Sequence, residues 1–308
     1  MTTRLLFVHA LSPLHAGTGQ GAGVIDLPIA REKATGLPYL PGSSIKGTLR
    51  DSPGLDDADK FAIFGPDTTN AADFAGSVQF ADARLLLLPV RSLGGTFAWV
   101  SSPYVLHRFA RDTRDAGITD LPDPPDLEPN GIHQTCAVVS KQRLVITEGG
   151  QDLVVLEDLD LRPTVDANLA IWAQRLGEWL FAAPADATPA VVKEATYWQD
   201  ALRDRLCVVS DEVLNFLLTT GIEVIARIKL KDDTKTVQTG GLWYEEALPT
   251  ESVLAGVIVI NPVEAKKRKA LDAAAIETQL RKLVEPTLQF GGKATVGRGL
   301  CRTRLGGA

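Results

Sequence analysis

The residues best placed to do chemistry lie between Gly17 and Arg50, in the run GTGQGAGVIDLPIAREKATGLPYLPGSSIKGTLR. Glycine at every second position from Gly17 to Gly23 predicts a mobile loop whose backbone can approach a ligand closely. Just beyond it stands one carboxylate, Asp26. Leu40-Pro41-Gly42 then breaks the chain, and Ser43 is placed to cap a helix running to about Asp51. Lys46 and Arg50 fall i, i+4 on one face of that helix, with the Ser43 and Ser44 hydroxyls at its start. Cations and hydroxyls at a helix amino end suit phosphates. An acid on a loop beside such a helix is an arrangement for a phosphodiester, either to cut it or to hold it.

Nucleotide motifs are tested first and fail. Gly17-Thr-Gly19-Gln-Gly21-Ala-Gly23 satisfies GxGxxG in no frame, and Gly292-Lys293 is followed by Ala294 where a phosphate-binding lysine needs Ser or Thr. Glycine still supplies free N–H groups and close approach to a sugar–phosphate chain. The second glycine-rich run, Leu288-Gln-Phe-Gly291-Gly292-Lys293-Ala-Thr-Val-Gly297-Arg298-Gly299, adds two cations. His15 is a second candidate near the first loop, for positioning phosphate or moving a proton. His9 reads as core, and His107 and His133 lack a ligand-spaced partner.

The formal net charge of −6 argues against nonspecific nucleic-acid binding. Its distribution points elsewhere: residues 1–50 carry +3, residues 281–308 carry +5 and the middle carries −14. If the ends meet, one basic surface sits on an acidic body, a footprint for a polyanion. Three isolated cysteines without a CxxC pair point to a reduced cytoplasm and no zinc knuckle. No signal peptide or membrane-spanning run is read, so a cytoplasmic protein without membrane contact is expected.

The elements that must position these residues are strands and helices without regular βα alternation, hence an α+β fold. Strands are expected at Arg4–Leu11, Gly76–Leu88, across 136–163 and at Val253–Ile260. Helices are expected at Asp56–Phe64, Pro103–Asp112, Asn168–Phe181 and Glu264–Val284. Trp172 and Trp179 fall at core spacing. The acidic, proline-rich run at 118–131 reads as an exposed insertion or a disordered loop. Ile222–Leu230 alternates strictly, and after a polar turn a second run ends in Leu242-Trp243-Tyr244-Glu245-Glu246, which together predict a long hairpin. Leu288–Arg304 closes the chain as a glycine-rich hairpin or loop.

The C-terminal glycine run resembles that of the RAMP superfamily, the repeat-associated proteins of CRISPR systems. The N-terminal block is more specific. Leu11-Ser-Pro-Leu-His15-Ala-Gly17-Thr-Gly19, Gly23-Val-Ile-Asp26-Leu-Pro-Ile29, Arg31-Glu32 and Leu40-Pro-Gly-Ser-Ser-Ile-Lys46-Gly-Thr-Leu-Arg50 resemble, in order and spacing, the family of the fourth subunit of the Cmr complex. Leu242–Glu246 with Leu248-Pro249 does so too, whereas 115–135 carries none of the likeness. The resemblance implies one ferredoxin-like, RNA-recognition-motif-like domain. Its palm would be built from about 1–100, 136–165 and 250–308, with an insertion at about 101–135. A helical region would follow at about 166–220 and a protruding thumb hairpin at about 222–247.

It further implies the repeated backbone subunit of a type III-B ribonucleoprotein. Copies would stack along CRISPR RNA with other Cmr subunits, and complementary target RNA would be cut at regular intervals where the thumb splays the duplex. The matching loop acid is Asp26, required in the family for cutting with a divalent metal. His15, Tyr244 and Glu245 join it as catalytic candidates. Ser43, Ser44, Lys46, Arg50, Gly291, Gly292, Lys293 and Arg298 are the RNA-binding candidates.

Cleavage needs the 2′-OH aligned with the leaving 5′ oxygen and charge stabilised at phosphorus. A lone carboxylate can hold hydrated Mg²⁺ or Mn²⁺ when phosphate oxygens complete the shell. As a base, an aspartate of ordinary pKa about 4 is weak near neutrality, which favours the metal role. Two other readings stand beside this one: a backbone subunit that binds guide without cutting, and a metal-independent processing endoribonuclease using His15.

Overall fold

The two ends of the chain and its longest apolar runs lie side by side in one sheet. In the computed structural model, residues 1–19, 25–66, 74–127, 134–263 and 270–306 are described. The strands are β1 (Thr2–Ala10), β2 (Tyr39–Leu40), β3 (Val78–Phe80), β4 (Ala83–Ser92), β5 (Thr96–Ser101), β6 (Thr135–Val138), β7 (Ile146–Glu148), β8 (Gln151–Leu156), β9 (Leu159–Val165), β10 (Leu206–Val209), β11 (Glu223–Leu230), β12 (Val237–Ala247), β13 (Val253–Ile260), β14 (Leu288–Gln289) and β15 (Leu300–Gly306). The helices are α1 (Gly42–Asp51), α2 (Asp57–Phe64), α3 (Pro103–Asp115), α4 (Ala167–Leu180), α5 (Pro189–Arg205), α6 (Asp211–Thr220) and α7 (Ala273–Val284).

β1 is the centre of an open antiparallel sheet, between β13 on one side and β15 on the other. Phe7 of β1 meets Phe109 of α3 and Trp179 of α4 on one face. Arg4, an odd step away and therefore on the other face, pairs with Glu277 of α7 at 2.9 Å. Helices thus cover both faces, and β1 reads as a continuous apolar run because both faces are dry. Trp172 is fully buried and Trp179 stacks on Phe7, so both tryptophans belong to the core as expected.

The sheet then does something the ferredoxin-like expectation did not contain. β4 is ten residues long; its first half pairs with β13, and its second half, from Leu88, pairs with β5. The order continues β5-β10-β6-β9-β8 and returns to β4 through Ser92 opposite Leu156. These six strands close into a barrel, with Leu93 N–H donating to the Val155 carbonyl at 3.2 Å and Glu157 N–H to the Arg91 carbonyl at 3.0 Å. Closure removes the open edges that β4 and β8 would otherwise expose. The expected helical region at 166–220 is correspondingly interrupted: β10 lies within it and runs parallel to β5 and antiparallel to β6.

Two further expectations are corrected. The proline-rich segment is not a free insertion over its described part, because Pro124 and Pro125 are buried and the Trp172 indole donates to the Pro122 carbonyl at 3.2 Å. Residues 128–133, including His133, lie outside the described residues, as do 264–269 of the expected last helix. Ser43 does not cap α1. Pro41 occupies the cap position with no side-chain bond, and Asp82, before β4, accepts from the Gly42 N–H at 2.8 Å. Position 42 is pressed against the sheet, where a Cβ would lie 2.2 Å from the Phe80 carbonyl oxygen. Gly42→Ala is therefore expected to destabilise the protein by about 1–3 kcal/mol through forced displacement of α1, measured as a lowered denaturation midpoint with an unchanged m-value.

Candidate functional site

The segment carrying Asp26 is tied, residue by residue, to the outgoing strand of the hairpin. Leu14 bridges Leu248, and Leu27 bridges Glu245 in parallel. Leu27 N–H donates to the Tyr244 carbonyl at 3.1 Å, and Glu246 N–H returns to the Leu27 carbonyl at 3.0 Å. Between these bonds the Tyr244 N–H donates to Asp26 Oδ2 at 2.8 Å. Asp26 is exposed, and its Oδ1 accepts no bond among the described residues. Residues 20–24 of the glycine loop lie outside the described residues.

Glu246, which the sequence reading did not single out for a role, is the clamp of this segment. Its Oε2 accepts from the Ile29 N–H at 3.0 Å, and its Oε1 pairs with Arg31 at 3.4 Å. Its carbonyl accepts from His15 Nδ1 at 2.6 Å. A carbonyl only accepts, so Nδ1 carries a proton and donates it. That ring is buried against Gly17, where a Cβ would lie 2.6 Å from Nε2, and against the second glycine motif. Gly292 N–H donates to the His15 carbonyl at 3.0 Å, and Gly291, at φ 72°, leaves no room for a Cβ beside that same oxygen. The two glycine-rich motifs therefore meet at His15.

Glu245 faces the opposite side of the strand and is almost fully buried. Its Oε1 accepts from the Trp243 indole at 2.7 Å and from Lys293 at 2.9 Å; its Oε2 pairs with Arg227 at 3.3 Å. Burial alone would raise its pKa, but the indole, Lys293 and Arg227 outweigh it and hold the carboxyl at about 2. Both cations of the C-terminal motif are spent on the hairpin, since Arg298 pairs with Glu223 at 3.4 Å and is itself buried. The Tyr244 side chain is exposed.

On α1, Ser43 is exposed and Ser44 half-buried, but the Asp82 carboxylate already occupies the Gly42 amide. Arg50 donates to the Gly65 and Pro66 carbonyls at 2.7 and 3.1 Å. Lys46 is half-buried and has no bonded partner among the described residues. Asp26, Tyr244, Glu245, His15, Gly291, Gly292 and Lys293 are thus brought to one place, the hairpin base, while Ser43, Ser44, Lys46 and Arg50 belong to a separate helix. Among the described residues no group of three His, Cys, Asp or Glu side chains could hold a metal.

The hairpin above this base is unusual in what it exposes. Val224, Ala226, Ile228 and Leu230 of β11 pair with Glu246, Tyr244, Leu242 and Val237 of β12, and the apolar members of this face are exposed, Ile228 and Leu242 by 53% each. A strand pair packed against a core would hide these residues; here nothing among the described residues covers them.

Residues 7–302 match the sequence model of the RAMPs, the RAMP superfamily. The chain belongs to that superfamily. It is similar to the CRISPR system Cmr endoribonuclease Cmr4 of Pyrococcus furiosus, with 33% identity covering 99% of this chain and 96% of the relative. Among solved structures, oligomeric Cmr4 from Pyrococcus furiosus superposes with a TM-score of 0.72 at 26% identity, covering 99% of this chain and 98% of that one. A chain of the type III-B Cmr-beta complex bound to cognate target RNA shares the fold, with a TM-score of 0.69 at 19% identity over 99% and 97% of the two chains. No helix among the described residues of this RAMP protein is long and apolar enough to cross a membrane.

Two predictions follow from the clamps of the hairpin base. Glu245 has a folded pKa of about 2 against 4.5 ordinarily, so its stabilisation is present above about pH 4.5 and lost as pH falls towards 2. Glu245→Gln should remove on the order of 3 kcal/mol near neutrality and flatten the acid limb of a stability-versus-pH curve. Glu246→Ala leaves the Ile29 N–H without its acceptor, costing about 1–3 kcal/mol, and amide exchange at Ile29 should accelerate well before that of β1.

Proposed function

We propose that this chain is a repeated backbone subunit of a type III-B CRISPR ribonucleoprotein, binding CRISPR RNA and cutting complementary target RNA at Asp26. The observation that carries the reading is the bond from the Tyr244 amide to Asp26, which fixes an exposed acid to the base of a hairpin with a bare apolar face. Similarity over nearly the whole chain to a Cmr endoribonuclease supports it. The oligomeric form of the related Cmr4 supports self-association, and the related complex with target RNA supports the RNA partners and the other Cmr subunits.

In this reading the apolar face of β11 and β12 enters the guide–target duplex as a wedge. Unstacking lets one target nucleotide leave A-form geometry, so that its 2′ oxygen can line up with the 5′ oxygen that departs. Attack by that 2′ oxygen on phosphorus breaks the P–O5′ bond, the 2′ proton passes to solvent and the 5′ oxygen takes one up. The chain reads shape and backbone, and pairing with the guide reads sequence. Repetition along the guide gives evenly spaced cuts.

Asp26 offers one oxygen free of hydrogen bonds among the described residues, which fits one ligand position of a hydrated Mg²⁺ or Mn²⁺ and no more. Such an ion would supply charge stabilisation at the scissile phosphate. Tyr244 contributes its amide to aim Asp26. Glu245 is assigned to anchoring, because both its oxygens are held by cations and an indole. His15 braces the two glycine motifs, and its burial gives the processing reading no support. Lys46 is the α1 cation free to meet a guide phosphate.

The reading predicts that Asp26→Asn in the assembled complex abolishes target cleavage while guide binding is unchanged. EDTA should stop the wild-type complex, and added Mg²⁺ or Mn²⁺ should restore regularly spaced products. Undiminished cutting by Asp26→Asn would remove this residue from the mechanism; guide binding with no cutting by the wild type would leave a non-catalytic backbone subunit.

A further inference from the structure

Five of the eleven cations gathered at the two ends of the chain are paired with carboxylates inside the molecule. Arg4 and Arg281 both bind Glu277, Arg31 binds Glu246, Lys293 binds Glu245 and Arg298 binds Glu223. The other six have no carboxylate partner among the described residues, and three of them, Lys282, Arg302 and Arg304, lie together. Arg302 and Arg304 are neighbours on the same face of β15, i and i+2, about 6.6 Å apart along the strand. Among the described residues Arg304 donates only to the Thr303 carbonyl, at 2.9 Å. Burial, and then the charge of Arg302, lower its pKa, with Glu285 opposing.

These cations line a groove. Two adjoining cavities, of about 480 and 220 Å³, share Arg304 and the turn from Ala182 to Pro184. The larger is flanked by Arg281 and Lys282 at the end of α7; the smaller has Arg302 on one side and Trp198 of α5 on the other. Glu285 and Glu194 are the acids of the lining, so cations outnumber them two to one. Neither cavity contains Asp26, His15 or Lys46. Two guanidinium groups neighbouring on one strand in half-buried positions, with no ion pair among the described residues and only Glu285 acting on Arg304 from a distance, are costly. A phosphate bridged by both would offset that cost. Trp198, stacked on Phe181, lines the same cavity as the pair and adds an aromatic surface, which suits a base.

We propose that this groove is a second RNA contact, taking one single-stranded nucleotide with its phosphate between Arg302 and Arg304 and its base against the Trp198 wall. It rests on the reading that the chain binds RNA. The shared chemistry is a nucleoside monophosphate, within an RNA strand or free. β15 beyond Cys301 has no strand on its outer side among the described residues, so an acidic peptide is the competing occupant.

The test uses the full chain, titrated with labelled single-stranded RNA of mixed sequence and, separately, with AMP and a polyglutamate peptide. R302Q/R304Q should weaken RNA binding about tenfold at low salt and make the slope of log affinity against log salt shallower by about 0.7, the value of one single-strand phosphate. R302K/R304K should keep the slope. Trp198→Leu should lose at least about fivefold, the low end for one stacked base, with the slope unchanged. Should the glutamine variant fail to fold, crosslinking of 4-thiouridine RNA to the wild-type chain decides instead: adducts within 181–198 or 302–304 support the groove, and adducts confined elsewhere overturn it. Unchanged RNA affinity and slope in R302Q/R304Q overturn it too, as does loss of polyglutamate or AMP binding alone. A Lys46→Ala chain that loses RNA while the arginine variant does not would remove this groove and leave the guide-binding reading intact.

Discussion

The rest of the site depends on one constraint, the pairing of the segment around Asp26 with the outgoing strand of the hairpin. That hairpin buries little of its own surface, and a two-stranded ribbon alone is only marginally stable in water. It is held at its base instead. Glu245 and Glu246 are adjacent, so the pleat sends them to opposite faces. Glu245 takes hold of the C-terminal glycine motif through Lys293, and Glu246 takes hold of the N-terminal segment through Ile29 and Arg31. One dipeptide thereby locks two distant loops to one strand, and the His15 carbonyl joins the loops to each other.

This arrangement changes the meaning of the charge pattern. The +3 and +5 ends do meet, because β1 pairs with β15. Yet Lys293 and Arg298, placed by a glycine-rich run that suggests phosphate binding, pair with hairpin glutamates. A surface potential estimated from the ends alone is therefore too large. Among the described residues, the end cations left without a carboxylate partner are Lys33, Lys46, Arg50, Lys282, Arg302 and Arg304, and polyanion contact should be sought among them.

The sequence made the periodic elements legible. β1, β13, α2, α4 and the hairpin follow from alternation and apolar runs; that Asp56 and Asp166 cap the two helices is what the fold adds. The barrel was not legible, because β10 has only four residues between two helices and closure rests on one paired position, Ser92 with Leu156. The cap of α1 was misread since Asp82 supplies the bond from another part of the chain. Alternation in β11 showed two faces but not which one is wet. Charge in 118–127 suggested solvent, whereas buried prolines and the Trp172 bond fasten that stretch to α4. At the site, Asp26 was legible by type and position. The clamp by Glu246 was not, because it depends on which loop crosses the strand.

Two carboxylates one residue apart in pairing show why type alone does not assign chemistry. Glu245 is buried, has three donors on two oxygens and titrates near 2, so it stays ionised and has no capacity left for a ligand. Among the described residues Asp26 meets a single amide, is exposed and keeps one oxygen bare. A buried charge must be satisfied where it lies, and satisfaction of this kind makes an anchor. An exposed carboxylate with one bond is aimed without being consumed, and the amide that aims it belongs to the strand under the apolar face. Under the proposed function, a strand of RNA displaced by that face would arrive beside an exposed acid that the fold aims but does not consume.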